Sequence, residues 1–348
     1  MPDPVDEGRE GGGGAGEDAV IARYFRPLAA GFPGAFDLKD DAAVITPPEG
    51  ADLVVTTDAL IAGVHFFADD TPADIAFKAL AVNVSDLAAK AAAPLAYSLA
   101  LALPRGTSED WLRGFAEGLR VGQAQFGIAL SGGDTTVSPS GPLMIAITAF
   151  GTVPRGCMVR RGGARAGDSL YVSGTIGDAA LGLKWRRRDE DAVGRYQSAI
   201  SIPMLHDLIA RYLRPDPRVG LRDALRAHAS AAMDVSDGLV IDCGRMCAAS
   251  GVDAVIEAGK VPLSAAAGAV LNAQSGLLET VITGGDDYEI LCAIRPGEEA
   301  AFEEAARAAG VAVTRIGAFV KGTGKLTVLA ADGRPLALAR TGYDHFGR

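Results

Sequence analysis

Cysteine, aromatic residues, positive charge and long apolar runs are all scarce in this chain of 348 residues. Its four cysteines, Cys157, Cys243, Cys247 and Cys292, include no C-x-x-C pair. That is too few for a disulfide scaffold, and a reducing cytoplasm is the natural setting. The four histidines, at 65, 206, 228 and 345, add no zinc-ligand spacing. Lys and Arg number 33 against 43 Asp and Glu, a net charge of −10. A partner held by its phosphodiester backbone needs the opposite balance, so nucleic acid is excluded as a ligand. Apolar stretches such as Leu95–Leu103 reach about half of the ~20 residues that a membrane-spanning helix requires. The acidic, glycine-rich start lacks the basic region and apolar core of a signal peptide. Also missing are a G-x-x-x-x-G-K-[ST] loop, an H-E-x-x-H helix, a G-x-S-x-G elbow and an EF-hand. Gly11–Gly16 fits G-x-G-x-x-G only because nearly every residue there is glycine, and no strand precedes it.

What is present is apolar residues at 49% and glycine at 44 positions, against about 7% glycine in an average protein. The length and apolar content predict two domains with sizeable cores. Residues 1–17 read as a disordered leader, 18–153 as an N-terminal α/β domain and 154–348 as a C-terminal α+β domain. Apolar spacing predicts an amphipathic helix from Asp18, with Val20, Ile21, Tyr24, Phe25 and Leu28 on one face. Further helices are expected from Pro72, over Ser108–Phe126, from Asp178, over Leu239–Ser250 and over Glu298–Ala309. Strands are expected at Ala43–Ile45, Leu53–Thr56, Tyr97–Leu103, Ile128–Leu130, Leu143–Val153, Ser169–Val172, Ala231–Val235, Val281–Thr283, Glu289–Ala293 and Val311–Ile316. The charged run Lys184–Arg195 reads as a solvated helix end.

One pattern goes beyond periodicity. Five apolar runs end in small residues followed by aspartate, at Asp58, Asp86, Asp134, Asp237 (with Asp234 before it) and Asp286, and the pair Asp40-Asp41 precedes a sixth. Any one of these is ordinary turn or cap chemistry. Their repetition suggests carboxylates at strand ends, arranged to hold hard cations, with glycine and hydroxyl neighbours that let backbone amides approach a phosphate. If Asp41, Asp58, Asp86, Asp134 and Asp234 converge, like charges at about 4 Å and an effective dielectric near 20 cost roughly 4 kcal/mol per pair. Mg²⁺ ions bridging to a polyphosphate would reverse that sign.

In order along the chain, Asp40-Asp41-Ala42-Ala43, Thr56-Thr57-Asp58-Ala59-Leu60, Gly63-Val64-His65-Phe66, Lys78 to Ala89, Ser131-Gly132-Gly133-Asp134-Thr135-Thr136, Met233 to Leu239, Gly284 to Glu289 and Gly342 to Phe346 together resemble the thiamine-monophosphate kinase family. That family belongs to the aminoimidazole-ribonucleotide-synthetase-like superfamily. The resemblance implies a two-domain fold, an α/β lobe whose sheet pairs with a second subunit to form a homodimer, and an α+β lobe. It implies ATP-dependent phosphorylation of thiamine phosphate to thiamine diphosphate by direct in-line transfer, with several Mg²⁺ ions, in the cytoplasm and without membrane or nucleic-acid partners.

Carried over by motif, Asp41, Thr56, Thr57, Asp58, Asp86, Asp134, Asp234 and Asp237 would hold the metal ions. Gly133, Asp134, Arg161 and Ser236 would contact ATP, and His65, Asp286 and Tyr343 would contact thiamine phosphate. No acid–base residue is implied, because the acceptor phosphate is already largely ionised. Two departures stand out. Asp37-Leu38-Lys39 replaces the family's Gly-x-Gly, and Gly284-Gly285-Asp286-Asp287 replaces Gly-Gly-Glu-Asp. The alternatives are sister enzymes of the superfamily, in purine synthesis, selenophosphate formation or hydrogenase maturation, and a non-catalytic acidic cation-binding protein. The first cysteine, at 157, and the ending Phe346-Gly347-Arg348 argue against the selenophosphate and hydrogenase sisters, which use an early and a terminal cysteine respectively.

Overall fold

The computed structural model describes residues 16–189 and 199–343. Most of the proposed leader, the end of the charged run, and His345 and Phe346 lie outside them. The start of the described chain is helical but interrupted: α1 (Glu17–Val20), a π turn over Ile21–Phe25, and α2 (Arg26–Ala29). Tyr24, Phe25 and Leu28 are buried, as the apolar face predicts.

The first lobe is built on four strands, β1 (Ala51–Ile61), β2 (Ala93–Pro104), β3 (Ala129–Ser138) and β4 (Met144–Pro154), in the order β1-β4-β2-β3. β4 is antiparallel to both of its neighbours, and β2 and β3 are parallel. Two long helices, α3 (Pro72–Ala89) and α4 (Glu109–Phe126), supply the crossovers. The Thr71 hydroxyl accepts from the Asp74 amide and Pro72 fills the first turn of α3, while Ser108 caps α4 and Gly127, at φ 67°, ends it. The helices approach closely enough that a Cβ on Gly118 of α4 would lie 2.2 Å from the Ala73 carbonyl oxygen.

Side chains alternate across a sheet, and the register resolves two faces here. Val54, Thr56, Asp58 and Leu60 of β1 share the face of Ile147 and Leu99, which is buried. Leu53, Val55 and Thr57 share the other face with Thr148 and Ala100, and Leu53 and Val55 are exposed there.

The second lobe carries β5 (Ser169–Ser173), β6 (Ala229–Asp234), β7 (Asp253–Glu257), β8 (Ile290–Ile294), β9 (Val313–Val320) and β10 (Leu326–Leu329). Their order is β10-β7-β9-β5-β8-β6, antiparallel except for β7 with β10. Around them pack α5 (Asp178–Arg186), α6 (Ile202–Leu213), α7 (Arg222–His228), α8 (Leu239–Ser250), α9 (Ala265–Ala273), α10 (Leu278–Thr283) and α11 (Glu299–Ala308).

Helix α3 joins the lobes. All of it is buried except Pro72, Ala73, Asp74 and Asp86. Its last alanines, Ala88 and Ala89, with Ala91 beyond them, enter an apolar cluster with Tyr171, Leu225, Ile290 and Phe302 of the second lobe.

Three expectations are corrected. Ala43–Ile45 is not a strand: this short run is anchored by the Val44 amide donating to the Gly34 carbonyl (2.9 Å) and has no ladder partner. Val281–Thr283 is the end of α10, because a short apolar run does not distinguish strand from buried helix until its neighbours Leu277 and Leu278 complete a helical spacing. The aspartates do not share a strand-end setting either. Asp58 and Asp134 lie inside strands, Asp86 inside α3, and only Asp234 ends one. The strands β7 and β10 and the helix α7 are too short to be placed from the sequence, whereas α6 and α9 are missed although Ser201 and Ser264 cap them and Pro203 stands in the first turn of α6.

Candidate active site

Between the lobes lies a cavity of about 670 Å³, lined by Asp58, His65, Asp86, Asp234, Ser236, Asp237, Asp286 and Tyr343 among others. They come from β1, the loop after it, α3, the end of β6 and the turn between it and α8, the turn after α10, and the last described residue. Asp58 is on the inner face of β1, with its amide donating to the Asn83 side-chain oxygen of α3 (3.1 Å). One turn on, Asp86 accepts from the Thr56 hydroxyl (2.5 Å). Ser85 of α3 donates to Asp234 at the end of β6 (2.7 Å), so first-lobe helix and second-lobe strand meet at a carboxylate.

The two glycine turns of the second lobe are pressed together. The Asp286 amide donates to the Ser236 carbonyl (2.8 Å), the Tyr288 amide to the Val235 carbonyl (2.8 Å). A Cβ on Gly285 would stand 2.4 Å from the Ser236 oxygen. Only glycine admits that approach.

The first turn of α8 is held by a carboxylate. Asp242 accepts from the amides of Ser236, Asp237 and Gly238 at 3.1, 2.9 and 3.2 Å. Arg245 bridges Asp242 (2.7 Å) and Asp237 (2.5 Å). Tyr343 reaches the same turn through its amide, which donates to the Asp237 carbonyl (3.0 Å). His65 follows β1; its Nδ1 accepts from the Ile61 amide (3.0 Å), which places the ring proton on Nε2.

The electrostatics are those of crowded anions. Burial, then the charges of Asp86 and Asp237, push the Asp58 carboxyl up to about 6. Burial and Asp86 push Asp234 well above the carboxylate range. Burial raises Asp242 to about 6, although the Asp237 amide opposes it. Lys184, Arg187 and Arg340 supply positive charge elsewhere on the cavity wall.

A second cavity of about 580 Å³ is lined by Asp40, Asp41, Gly133 and Asp134, together with Ser98 and Ala100. It opens on the outer face of the four-stranded sheet, since Asp134 pairs with Ala100 in register. The acidic residues therefore do not gather in one cleft of this chain but divide between two. Thr57 also faces outward, its hydroxyl 2.9 Å from that of Thr148. Arg161 is exposed and lines neither cavity. Among the described residues no three Asp, Glu, His or Cys side chains surround a common metal position. The arrangement offers carboxylate pairs, which suits Mg²⁺ completed by phosphate and water rather than an all-protein cage.

At both departures from the family strings the backbone is left-handed: Asp37 and Leu38 have φ of 56° and 53°, and Asp286 has φ of 69°. The residues missed by sequence reasoning are Asn83, Asp242, Arg245 and Lys78. Asp242 carried a faint signal, a carboxylate in the first turn of a helix that follows a glycine.

Comparison with known proteins completes the picture. AIR synthase related protein, N-terminal domain, matches residues 39–153, and its C-terminal domain matches residues 165–328. A thiamine-monophosphate kinase of Caulobacter vibrioides is 46% identical over 331 residues, covering 93% of this chain and 89% of its own. The chain belongs to the thiamine-monophosphate kinase family. Two solved structures agree. The thiamine-monophosphate kinase of Stenotrophomonas maltophilia K279a superposes with a TM-score of 0.75 at 40% identity, covering 86% of this chain and 91% of that one. AaThiL complexed with AMPPCP and TMP superposes with a TM-score of 0.73 at 30% identity, covering 88% and 91%. The thiamine-monophosphate kinase fold of this chain thus has the two mixed lobes that its sequence predicts.

Proposed function

We propose that this protein transfers the γ-phosphoryl group of ATP to thiamine phosphate, giving thiamine diphosphate and ADP. The observation that carries the reading is the junction of Thr56, Asp58, Ser85 and Asp86 with Asp234 at an inter-lobe cavity, in a chain of this family. Phosphoryl transfer calls for positioning and charge neutralisation more than for a covalent or acid–base group. Bound Mg²⁺ would neutralise phosphate oxygens and draw donor and acceptor together.

Asp58, Asp86, Asp234 and Asp237 are the carboxylates that would hold it at the main cavity. Thr56 orients Asp86 through its hydroxyl. Asp41 and Asp134 would serve the same end at the second cavity, which Gly133 also lines. We assign Ser236 and Arg161 to ATP, and His65, Asp286 and Tyr343 to thiamine phosphate; Thr57, on the outer face, would reach a metal only from that side. The sister-enzyme and cation-scaffold readings gain no support from any particular feature.

A homodimer is part of the proposal. The outer face of the first-lobe sheet exposes Leu53 and Val55, and a second copy packed there would cover the Asp134 cavity. So are the domain limits 18–153 and 154–348, and a cytoplasmic setting; among the described residues no helix is long and apolar enough to cross a membrane. The test is ADP release measured with thiamine phosphate present or withheld. Release that depends on thiamine phosphate is the expected result, and release indifferent to it would overturn the reading.

A further inference from the structure

Lys78 is a lysine in the wrong place for a solvated charge. It lies on α3, with its side chain only 3% exposed. Burying an ammonium group is costly unless it is paired and hydrogen-bonded, and a methionine would fill the same space without that cost.

What surrounds the ammonium is informative. Nζ donates to the His65 carbonyl oxygen (3.2 Å) and to Asp286 Oδ2 (3.1 Å). It also stands 3.7 Å from the centre of the Tyr212 ring, whose hydroxyl donates to the same His65 carbonyl (3.3 Å). One charge thus ties three segments: the loop after β1, the turn that follows α10, and helix α6. The first is in one lobe and the other two are in the other.

Asp286 is held at both oxygens. Lys78 takes Oδ2, and the Tyr288 hydroxyl donates to Oδ1 (3.2 Å). It has a left-handed backbone, φ 69°, a conformation that aspartate tolerates better than most residues other than glycine. His65 and Asp286 both line the main cavity, and so does Lys78. With its contacts taken by protein groups, Lys78 is placed to hold the wall rather than to bind a ligand phosphate.

We propose that Lys78 is a positioning residue for the acceptor: it fixes the Asp286 carboxylate and the His65 loop as one wall of the cavity, shaped for the cationic heterocycle of thiamine phosphate. This rests on the proposed reading of the cavity as the thiamine phosphate site. Lys78 acts on acceptor affinity and leaves the ATP side alone.

The experiment is steady-state kinetics on the full chain for wild type, Lys78→Met, Lys78→Arg, Asp286→Asn and the double variant Lys78→Met/Asp286→Asn, with amide hydrogen exchange on each. Lys78→Met is expected to raise KM for thiamine phosphate about ten-fold, while KM for ATP and kcat stay within about two-fold. Lys78→Arg should recover part of the loss. The double variant should be no worse than the poorer single one, because the two residues act through one contact. Exchange should quicken in residues 62–67 and 284–288 and around Tyr212 of α6, and nowhere else. Equal rises in both KM values, or faster exchange throughout both lobes, would make Lys78 a general stability element and overturn the proposal. So would an unchanged KM for thiamine phosphate. The two readings fail separately: a wild type without thiamine phosphate turnover defeats the functional assignment, whereas unchanged local exchange in Lys78→Met defeats the positioning role whatever the substrate.

Discussion

At the scale of single residues, the site is defined by carboxylates that the fold holds against their own electrostatics. Asp58 shows the consequence most clearly. Its carboxyl is raised from 3.8 to about 6 by burial and by Asp86 and Asp237, so between those values the folded chain holds a proton that the unfolded chain has lost. Stability therefore falls as pH rises from about 4 to 6, and the penalty is fully present above that window. Without divalent cations, the melting temperature of the wild type relative to Asp58→Asn should decline across it. Asp58→Asn, which carries no charge to desolvate, should melt about 3–6 °C higher than wild type at pH 7.5, at about 1–2 °C per kcal/mol for a chain of 348 residues. The same variant should lose at least about a hundred-fold in turnover. A cation-free difference between Asp58→Asn and wild type that does not grow with pH across the window, or an Asp58→Asn variant no more stable than wild type at pH 7.5, would contradict this account.

At the scale of elements, the long helices were the most legible part. Ser108–Phe126 and Leu239–Ser250 were readable because caps, length and 3.6-residue spacing agree with the structure's α4 and α8. The two short apolar runs at Ala43–Ile45 and Val281–Thr283 were not, because three residues carry no period. The aspartates were legible as a set, since their small neighbours repeat. Their distribution was not, because whether Asp58 and Asp134 share a face depends on sheet register across β4 and β2, which no local pattern encodes. Lys78 was hidden for a related reason: its partners, Asp286 and Tyr212, are remote in sequence. The β2–β3 pairing makes its own prediction. A Cβ at Gly133 would sit 1.9 Å from the Leu99 carbonyl oxygen, so Gly133→Ala should cost about 1–3 kcal/mol of stability and raise KM for ATP more than KM for thiamine phosphate. Equal KM values to wild type would remove Gly133 from the ATP side of the site.

At the scale of the whole molecule, the two lobes are joined through α3, which carries Asn83, Ser85 and Asp86 to the cavity and Ala88 and Ala89 into the second lobe's packing. The helix that joins the lobes thus also places three of the side chains around the cavity. The outer sheet face is the unfinished surface: Val55 is 54% exposed there, beside the cavity that holds Asp134. Val55→Asp should shift the chain in analytical ultracentrifugation from twice 35.7 kDa to 35.7 kDa, since a buried unpaired charge at an apolar interface is strongly unfavourable. A wild type that sediments as a monomer at all concentrations would end the dimer proposal. The central claim is that carboxylates from both lobes serve one phosphoryl transfer, and the most direct measurement is ADP release as a function of free Mg²⁺ and thiamine phosphate, in wild type and in Asp86→Asn. The account predicts release only when both are present, and at least about ten-fold more Mg²⁺ for half-maximal rate in Asp86→Asn. Release by the wild type without Mg²⁺, or an Asp86→Asn enzyme with the wild-type rate and Mg²⁺ dependence, would contradict it.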